Sequence, residues 1–279
     1  MEVKVSLFSC YKTTSMRRRK KDMEVKVSLF SASIRPQWYD LFFKSLELTS
    51  VSYEVVFGGH CTPEEINPYL SKYPMLTYIF TAKIKPCQVY EACRRACVGE
   101  LIHYTADDAE YSPDCIGKAY EYWKTFNDEK VILSIQTKEN GQLCDMDLHS
   151  FQGSNLQTPL MAPLGMMSRA FLERLGGCDR RYICGQYEND IVMRAYKDGG
   201  RVFHFKDGVI ELDHYKKHGP DHEGRSFAVG YNKDREILEK SWGTLGELLK
   251  TNRSDQFEPF EDKDLLTVSQ CNLKGGLWV

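Results

Sequence analysis

The sequence predicts an α/β fold with a mostly parallel central sheet, and three observations predict it. Short apolar runs that read as strands alternate with amphipathic stretches that read as helices through the first half of the chain, the pattern of βαβ units with right-handed crossovers. The length of 279 residues suits one large α/β domain with a substantial core. The run Leu101, Ile102, His103, Tyr104 stops abruptly at the adjacent carboxylates Asp107 and Asp108. That puts the acids at the C-terminal edge of the sheet, where ligands bind in open α/β folds.

The elements follow in order. Residues 23–31 alternate Val25, Val27, Leu29 against Lys26 and Ser28 and form the first strand. A small-residue turn, SASIRP, leads to a helix from Pro36 with Trp38, Leu41, Phe42, Leu46 and Leu48 as its apolar positions. Strand 53–59 ends in Gly58 and Gly59, helix 62–72 opens on a Thr-Pro-Glu-Glu start signal, strand 76–81 follows, and helix 88–99 ends at Gly99. Past the carboxylates come a helix from Pro113, a strand at 131–138 and a polar segment at 139–159 that reads as a small hairpin or as a long loop, of a length that is more often functional than incidental. The remainder reads as a helix at 166–175, a helix through Ile191, Val192, Ala195 and Tyr196, paired strands at 202–205 and 209–214, and a helix at 233–242.

Two further features set the domain limits. MEVKVSLFS stands at 1–9 and again at 23–31, with the basic run Arg17 to Lys21 between the copies. Residues 1–22 therefore read as an extension, a duplicated or misassigned start with Met23 as the original initiator, and the basic run as an exposed linker. The domain is assigned to 23–250 and a polar C-terminal tail to 251–279.

Composition narrows the function classes. A net charge of −2 gives no global attraction to nucleic acid, and no apolar run is long enough to span a bilayer, which takes about 20 residues. The ten cysteines are dispersed without a CxxC pair and no signal-peptide core is present, so reduced thiols and a cytoplasmic location are expected. Cys93 and Cys97 are expected to pack in the core.

The chemistry-bearing residues converge on the same sheet edge. Adjacent carboxylates repel unless something positive joins them, and a hard divalent cation with a phosphorylated ligand would do so. The turn after the first strand carries Ser31, Ser33 and Arg35; YENDIVMR carries Glu188 and Asp190; His214, His218 and His222 lie further on. A plainer reading stands beside each: Asp107 and Asp108 as a turn and helix cap, Glu188 and Asp190 as a solvated helix start, His218 and His222 as loop residues. Gly219 and Pro220 break any helix that would gather the three histidines into a zinc site.

In this order VSLFSASIRP, TADDAE, LGGCDRRY and YENDIVMRAYKDGG resemble the GT-A glycosyltransferases of family 2, over roughly residues 24–245. The resemblance implies a Rossmann-like three-layer α/β/α sandwich and transfer of a sugar from a nucleoside-diphosphate sugar, a UDP-sugar foremost, to an acceptor hydroxyl with inversion. It implies Mn²⁺ or Mg²⁺ as cofactor. Carried over residue by residue, Asp107 and Asp108 hold metal and diphosphate, Glu188 is the base with Asp190 as alternative, His214 completes the metal shell, and Arg225 contacts the diphosphate. The Ser31–Pro36 turn would cradle the nucleotide. Two departures stand out: the second strand ends in FGGHC where the family has an acid for the nucleobase, and the aspartate motif is ADDA. The acceptor stays open among glycan, lipid-linked saccharide, protein and modified nucleobase. A non-catalytic sugar-nucleotide or glycan-binding protein, and a nucleotidyl- or phospho-sugar-handling enzyme, are the alternative readings.

Overall fold

A computed structural model describes residues 24–144, 160–214, 217, 230–242 and 257–265. The first copy of the N-terminal duplication with the basic run after it, residues 145–159 of the 139–159 segment, His218, His222 and Arg225 lie outside the described residues.

The first half follows the βαβ pattern. Strands β1 (Val27–Ala32), β2 (Tyr53–Gly59), β3 (Leu76–Phe80) and β4 (Leu101–Tyr104) pair in parallel in the order β3-β2-β1-β4. Between them run α1 (Tyr39–Ser45), α2 (Pro63–Lys72) and α3 (Pro86–Ala96). Helix α2 begins with a reciprocal capping box between Thr62 and Glu65, which satisfies two otherwise unpaired backbone donors. Helix α1 is preceded by a 3₁₀ turn at Pro36–Trp38. The tighter turn shifts the phase of the apolar face, so Tyr39, Phe42, Phe43 and Leu46 are buried, while Leu41 and Leu48 face solvent against expectation.

The second half departs from a parallel plan. It holds β5 (Glu110–Tyr111), α4 (Cys115–Lys124), β6 (Val131–Glu139), β7 (Gln142–Leu143), β8 (Gly165–Ser168), α5 (Arg169–Arg174), α6 (Tyr187–Lys197), β9 (Arg201–Leu212) and α7 (Asn232–Trp242). The expected helix at 166–175 is in fact strand then helix. Gly165–Ser168 is buried throughout and inserts antiparallel between β4 and β6; Ser168 then caps α5 by accepting from the Phe171 N–H. A run buried on both sides satisfies its backbone better in a sheet interior than at a helix start.

The expected hairpin of 202–205 and 209–214 is one continuous strand. β9 runs parallel to β6, and its register jumps so that Phe205 faces Ile135 while Val209 faces Gln136. The extra residues bulge where Gly208 meets α4; a Cβ there would lie 2.6 Å from Cys115 Sγ, so a larger residue would force a shift of that side chain. β5 pairs antiparallel with β9 and completes the order β3-β2-β1-β4-β8-β6-β9-β5, with β7 paired to β6.

Helices cover both faces and make three layers. Tyr39, Phe42, Ile66, Ile116 and Tyr120 pack with Leu29, Val55 and Leu133 on one face. Cys93, Phe171, Ile191, Val192, Leu238 and Trp242 pack with Phe30, Val56 and Ile132 on the other. Each such large apolar side chain contributes roughly 1.5–3 kcal/mol on full burial. Cys93 and Cys97 are buried thiols in this core, and the cysteines among the described residues are free. Residues 257–265 pack against the domain: Phe260 is buried, Pro259 bridges Asp179, and the Phe257 ring lies 4.3 Å from the Arg194 guanidinium. No helix among the described residues is long and apolar enough to cross a membrane.

Candidate active site

Adjacent parallel strands end at the same edge, so the turn after β1 meets the turn after β4. There Asp107 is almost wholly buried and acts as the node between the two turns. Its Oδ2 accepts from Ser33 Oγ at 2.9 Å and from the backbone N–H groups of Ile34 and Arg35 at 3.2 Å each. Its Oδ1 accepts from Arg35 Nε at 2.9 Å and from a terminal guanidinium nitrogen of the same side chain. Ser33 is itself fixed by Tyr39 Oη at 2.5 Å, and Tyr78 Oη donates to the Ser33 carbonyl at 2.8 Å. Asp107 is thus consumed in shaping the turn, which the sequence reading had paired with Asp108 as a cation or diphosphate ligand. Arg35 keeps its charge firmly, because the attraction of Asp107 and Asp108 outweighs its burial.

Gly59, at the end of β2, closes the same turn. A Cβ there would meet the Ser33 carbonyl oxygen at 2.3 Å and Tyr78 Oη at 2.7 Å, so the strand end lies against the turn's backbone. Ser31, also expected in the nucleotide cradle, points into the protein instead: its Oγ donates to the Ala32 carbonyl at 2.9 Å and lies 3.0 Å from Tyr90 Oη.

Asp108 faces a different group. Its Oδ2 lies 3.6 Å from His214 Nδ1, and its Oδ1 lies 3.3 Å from Arg35. Its backbone carbonyl accepts from Lys217 Nζ at 2.6 Å, and Lys217 also pairs with Glu110 at 2.7 Å. His214 arrives just past the end of β9, and its Nε2 lies 3.4 Å from Glu139 Oε1 at the end of β6. The topology therefore brings three predicted residues, Arg35, Asp108 and His214, together with Glu139.

Glu139 also lines a cavity of about 250 Å³ whose wall includes Tyr90, Tyr104, Tyr187, Leu164 and Glu188. Glu188 lies in the first turn of α6 behind Gln186, whose left-handed backbone (φ 62) turns the chain sharply into the helix. Gln186 is held by Asn189 and Tyr231, each through a hydrogen bond to its amide. The Glu188 Oε2 atom is shut off from solvent and has no hydrogen-bond partner among the described residues. Burial raises its carboxyl to about 7, with the nearby charge of Asp234 adding to the shift. Tyr104 Oη is likewise buried without a partner among the described residues.

Asp190 stands apart from this cavity. Its oxygens accept from Arg194 Nε and Trp242 Nε1, both at 2.8 Å, and Arg194 continues to the Gly177 carbonyl at 2.7 Å. Of the two acids in YENDIVMR, the structure brings only Glu188 to the cavity. Sequence reading missed Glu139 and the tyrosines; the one signal for Glu139 was an acid closing a strand just before a long loop.

The fold and this edge define the class: a GT-A fold, with a parallel βαβ half joined to a mixed second half across which the cavity opens. No protein-family model matches the chain, and no curated protein matches it by sequence. Solved structures do. TarS 1-349 of S. aureus superposes with a TM-score of 0.57 at 14% identity, over 86% of this chain and 69% of that one. The same TarS fragment in complex with UDP-GlcNAc gives 0.53 at 14% identity, over 68% of this chain and 58% of that one. GalNAc-T7 with UDP, GalNAc and Mn²⁺ gives 0.56 at 12% identity, over 86% of this chain and 56% of that one. At such identities the likeness is one of fold.

Among the described residues no three His, Cys, Asp or Glu side chains gather to cage an ion by themselves. A nucleotide-bound Mg²⁺ or Mn²⁺ needs no such cage, since it keeps waters and takes one or two protein groups plus phosphate oxygens. Asp108 and His214 offer a carboxylate oxygen and an imidazole nitrogen 3.6 Å apart. Adjacent ligands of one octahedral ion stand roughly 3 Å apart, so the pair fits after a small adjustment.

Proposed function

We propose that this chain is a metal-dependent glycosyltransferase, similar to family 2, that moves a sugar from a nucleoside-diphosphate sugar to an acceptor hydroxyl with inversion. UDP-sugars are the first donors to test, and a glycan or another hydroxyl compound is the acceptor. The observation that carries the reading is Glu188: a buried carboxyl oxygen without a partner among the described residues, held near neutral pKa in a tyrosine-walled cavity that Glu139 joins to the Asp108–His214 pair.

Each residue then has a role that its surroundings support. Asp107 and Arg35 hold the turn after β1 in shape for the nucleotide. Asp108 and His214 would hold the cation, which would neutralise charge on the departing diphosphate. Glu188 takes the acceptor proton as the acceptor oxygen bonds to the anomeric carbon, and the bond from that carbon to the diphosphate oxygen breaks with its electron pair leaving on the nucleotide. A base poised near the working pH is the efficient choice for this transfer. Attack from the face opposite the leaving group inverts the anomeric centre.

The test is donor breakdown. The protein is incubated with UDP-, GDP- and dTDP-sugars plus Mn²⁺, with and without a panel of acceptors, and released nucleoside diphosphate is measured. Release that is lost with EDTA and in Asp108→Ala supports the reading. Thermal stabilisation by a donor without turnover under any condition would replace it with a non-catalytic sugar-nucleotide-binding role.

A further inference from the structure

His214 has two ring nitrogens, and the structure sets a carboxylate against each. Nδ1 faces Asp108 Oδ2 at 3.6 Å, and Nε2 faces Glu139 Oε1 at 3.4 Å. A neutral imidazole binds a cation through the lone pair of one nitrogen, in the ring plane, while the protonated nitrogen points away along the other edge. A cation shared with Asp108 therefore belongs on the Nδ1 side. Glu139 lies on the opposite edge, where it meets the N–H rather than the cation.

The register of the sheet makes this contact. Glu139 is the last residue of β6 and pairs in parallel with Leu212 of β9, two positions before His214. Its other oxygen, Oε2, is approached by Cys144 Sγ at 3.9 Å, just past the β6–β7 hairpin, so both carboxyl oxygens have defined surroundings. Glu139 also lines the cavity that contains Glu188.

We propose that Glu139 is the positioning residue for His214: it accepts the Nε2 proton, fixes the tautomer whose Nδ1 lone pair faces Asp108, and so strengthens divalent-cation binding by that pair. This rests on the metal reading given above. Carboxylates that orient a metal-binding histidine in this way raise its basicity, and their loss typically weakens metal affinity by about 10–100-fold. Glu139 acts through the imidazole, so its contribution vanishes when the imidazole is absent.

The test reads binding rather than turnover. Mn²⁺ in the presence of UDP is titrated into the full chain and followed by the loss of the free Mn²⁺ paramagnetic resonance signal, for wild type, Asp108→Ala, His214→Ala, Glu139→Ala, Glu139→Gln and the double variant Glu139→Ala/His214→Ala. Glu139→Ala is expected to weaken Mn²⁺ binding about tenfold or more, Glu139→Gln less because it keeps an acceptor oxygen, and the double variant no more than His214→Ala alone. Wild-type affinity in Glu139→Ala beside a weakened His214→Ala overturns the proposal, and so does a double variant clearly weaker than His214→Ala, which would make Glu139 a ligand in its own right. Wild-type affinity in both Asp108→Ala and His214→Ala is a separate result: it removes the metal reading itself. Thermal unfolding checks each variant, and if Glu139→Ala does not fold, wild-type affinity in Glu139→Gln overturns the proposal.

Discussion

Trp242, at the end of α7, donates its indole N–H to Asp190 Oδ1 at 2.8 Å, while Asp190 Oδ2 holds Arg194 one helical turn along α6. This pairing ties the helix that carries Glu188 to the last helix of the domain. It also sets the two acids of one short motif in different surroundings, Asp190 in this pairing and Glu188 at the cavity.

The first prediction uses that separation. Asp190→Asn leaves the buried Arg194 without its carboxylate and is expected to cost about 3 kcal/mol of stability. Glu188→Gln is expected to leave stability intact or improve it while lowering turnover by about 10²-fold or more. Urea denaturation and donor turnover on both variants check this; turnover that survives Glu188→Gln and disappears in a folded Asp190→Asn would move the base to Asp190.

A second prediction concerns pH. The Glu188 carboxyl is raised from 4.5 to about 7 in the fold, so between those values the native state holds a proton that the unfolded chain has released. Stability from this group therefore falls as pH rises from about 4.5 to 7, by on the order of 2–3 kcal/mol. Activity should move the opposite way, rising through pH 7 as the base ionises. Thermal melts at a series of pH values should show the loss in wild type and not in Glu188→Gln.

A third concerns the node beneath the turn after β1. Arg35→Ala takes the cation away from the buried Asp107 carboxylate, for an expected loss of about 3 kcal/mol, and Asp107→Asn leaves the guanidinium with Asp108 as its carboxylate. The double variant Arg35→Ala/Asp107→Asn should be less destabilised than the sum of the singles, since the two side chains act as one unit. Additive losses in chemical denaturation would show that the pair is not coupled. Donor binding, followed by calorimetry with UDP, is expected to weaken in all three.

Gly59 supplies the fourth. Gly59→Ala puts a methyl 2.3 Å from the Ser33 carbonyl, a backbone atom that moves only if the turn moves. The expected cost is about 1–3 kcal/mol of stability, with weaker UDP binding. An alanine variant with wild-type melting and UDP affinity would show that β2 and the turn can separate without consequence.

Much of the plan was open to reading from residues alone. The parallel half, β3-β2-β1-β4, announced itself through short apolar runs broken by Gly, Pro and capping signals, because local backbone preference and burial agree there. The second half did not. Gly165–Ser168 carries no alternation that separates a buried strand from a helix start, and only its insertion between β4 and β6 decides the matter. Likewise, the gap between Phe205 and Val209 looks like a hairpin turn until β6 pairs across it as a parallel partner.

For the site, the sequence by itself determined which acids and which histidine stood near strand ends, and so which sheet edge gathers them. Their separate surroundings were decided by tertiary structure, because they depend on partners far apart in the chain. Asp107 and Asp108 are neighbours, yet one is sealed by the turn after β1 and the other faces His214. Glu188 and Asp190 lie in one helical turn, yet one opens on the cavity and the other is held by Arg194 and Trp242. Glu139 became visible only once β6 and β9 were in register, since no local pattern encodes a contact made across a sheet.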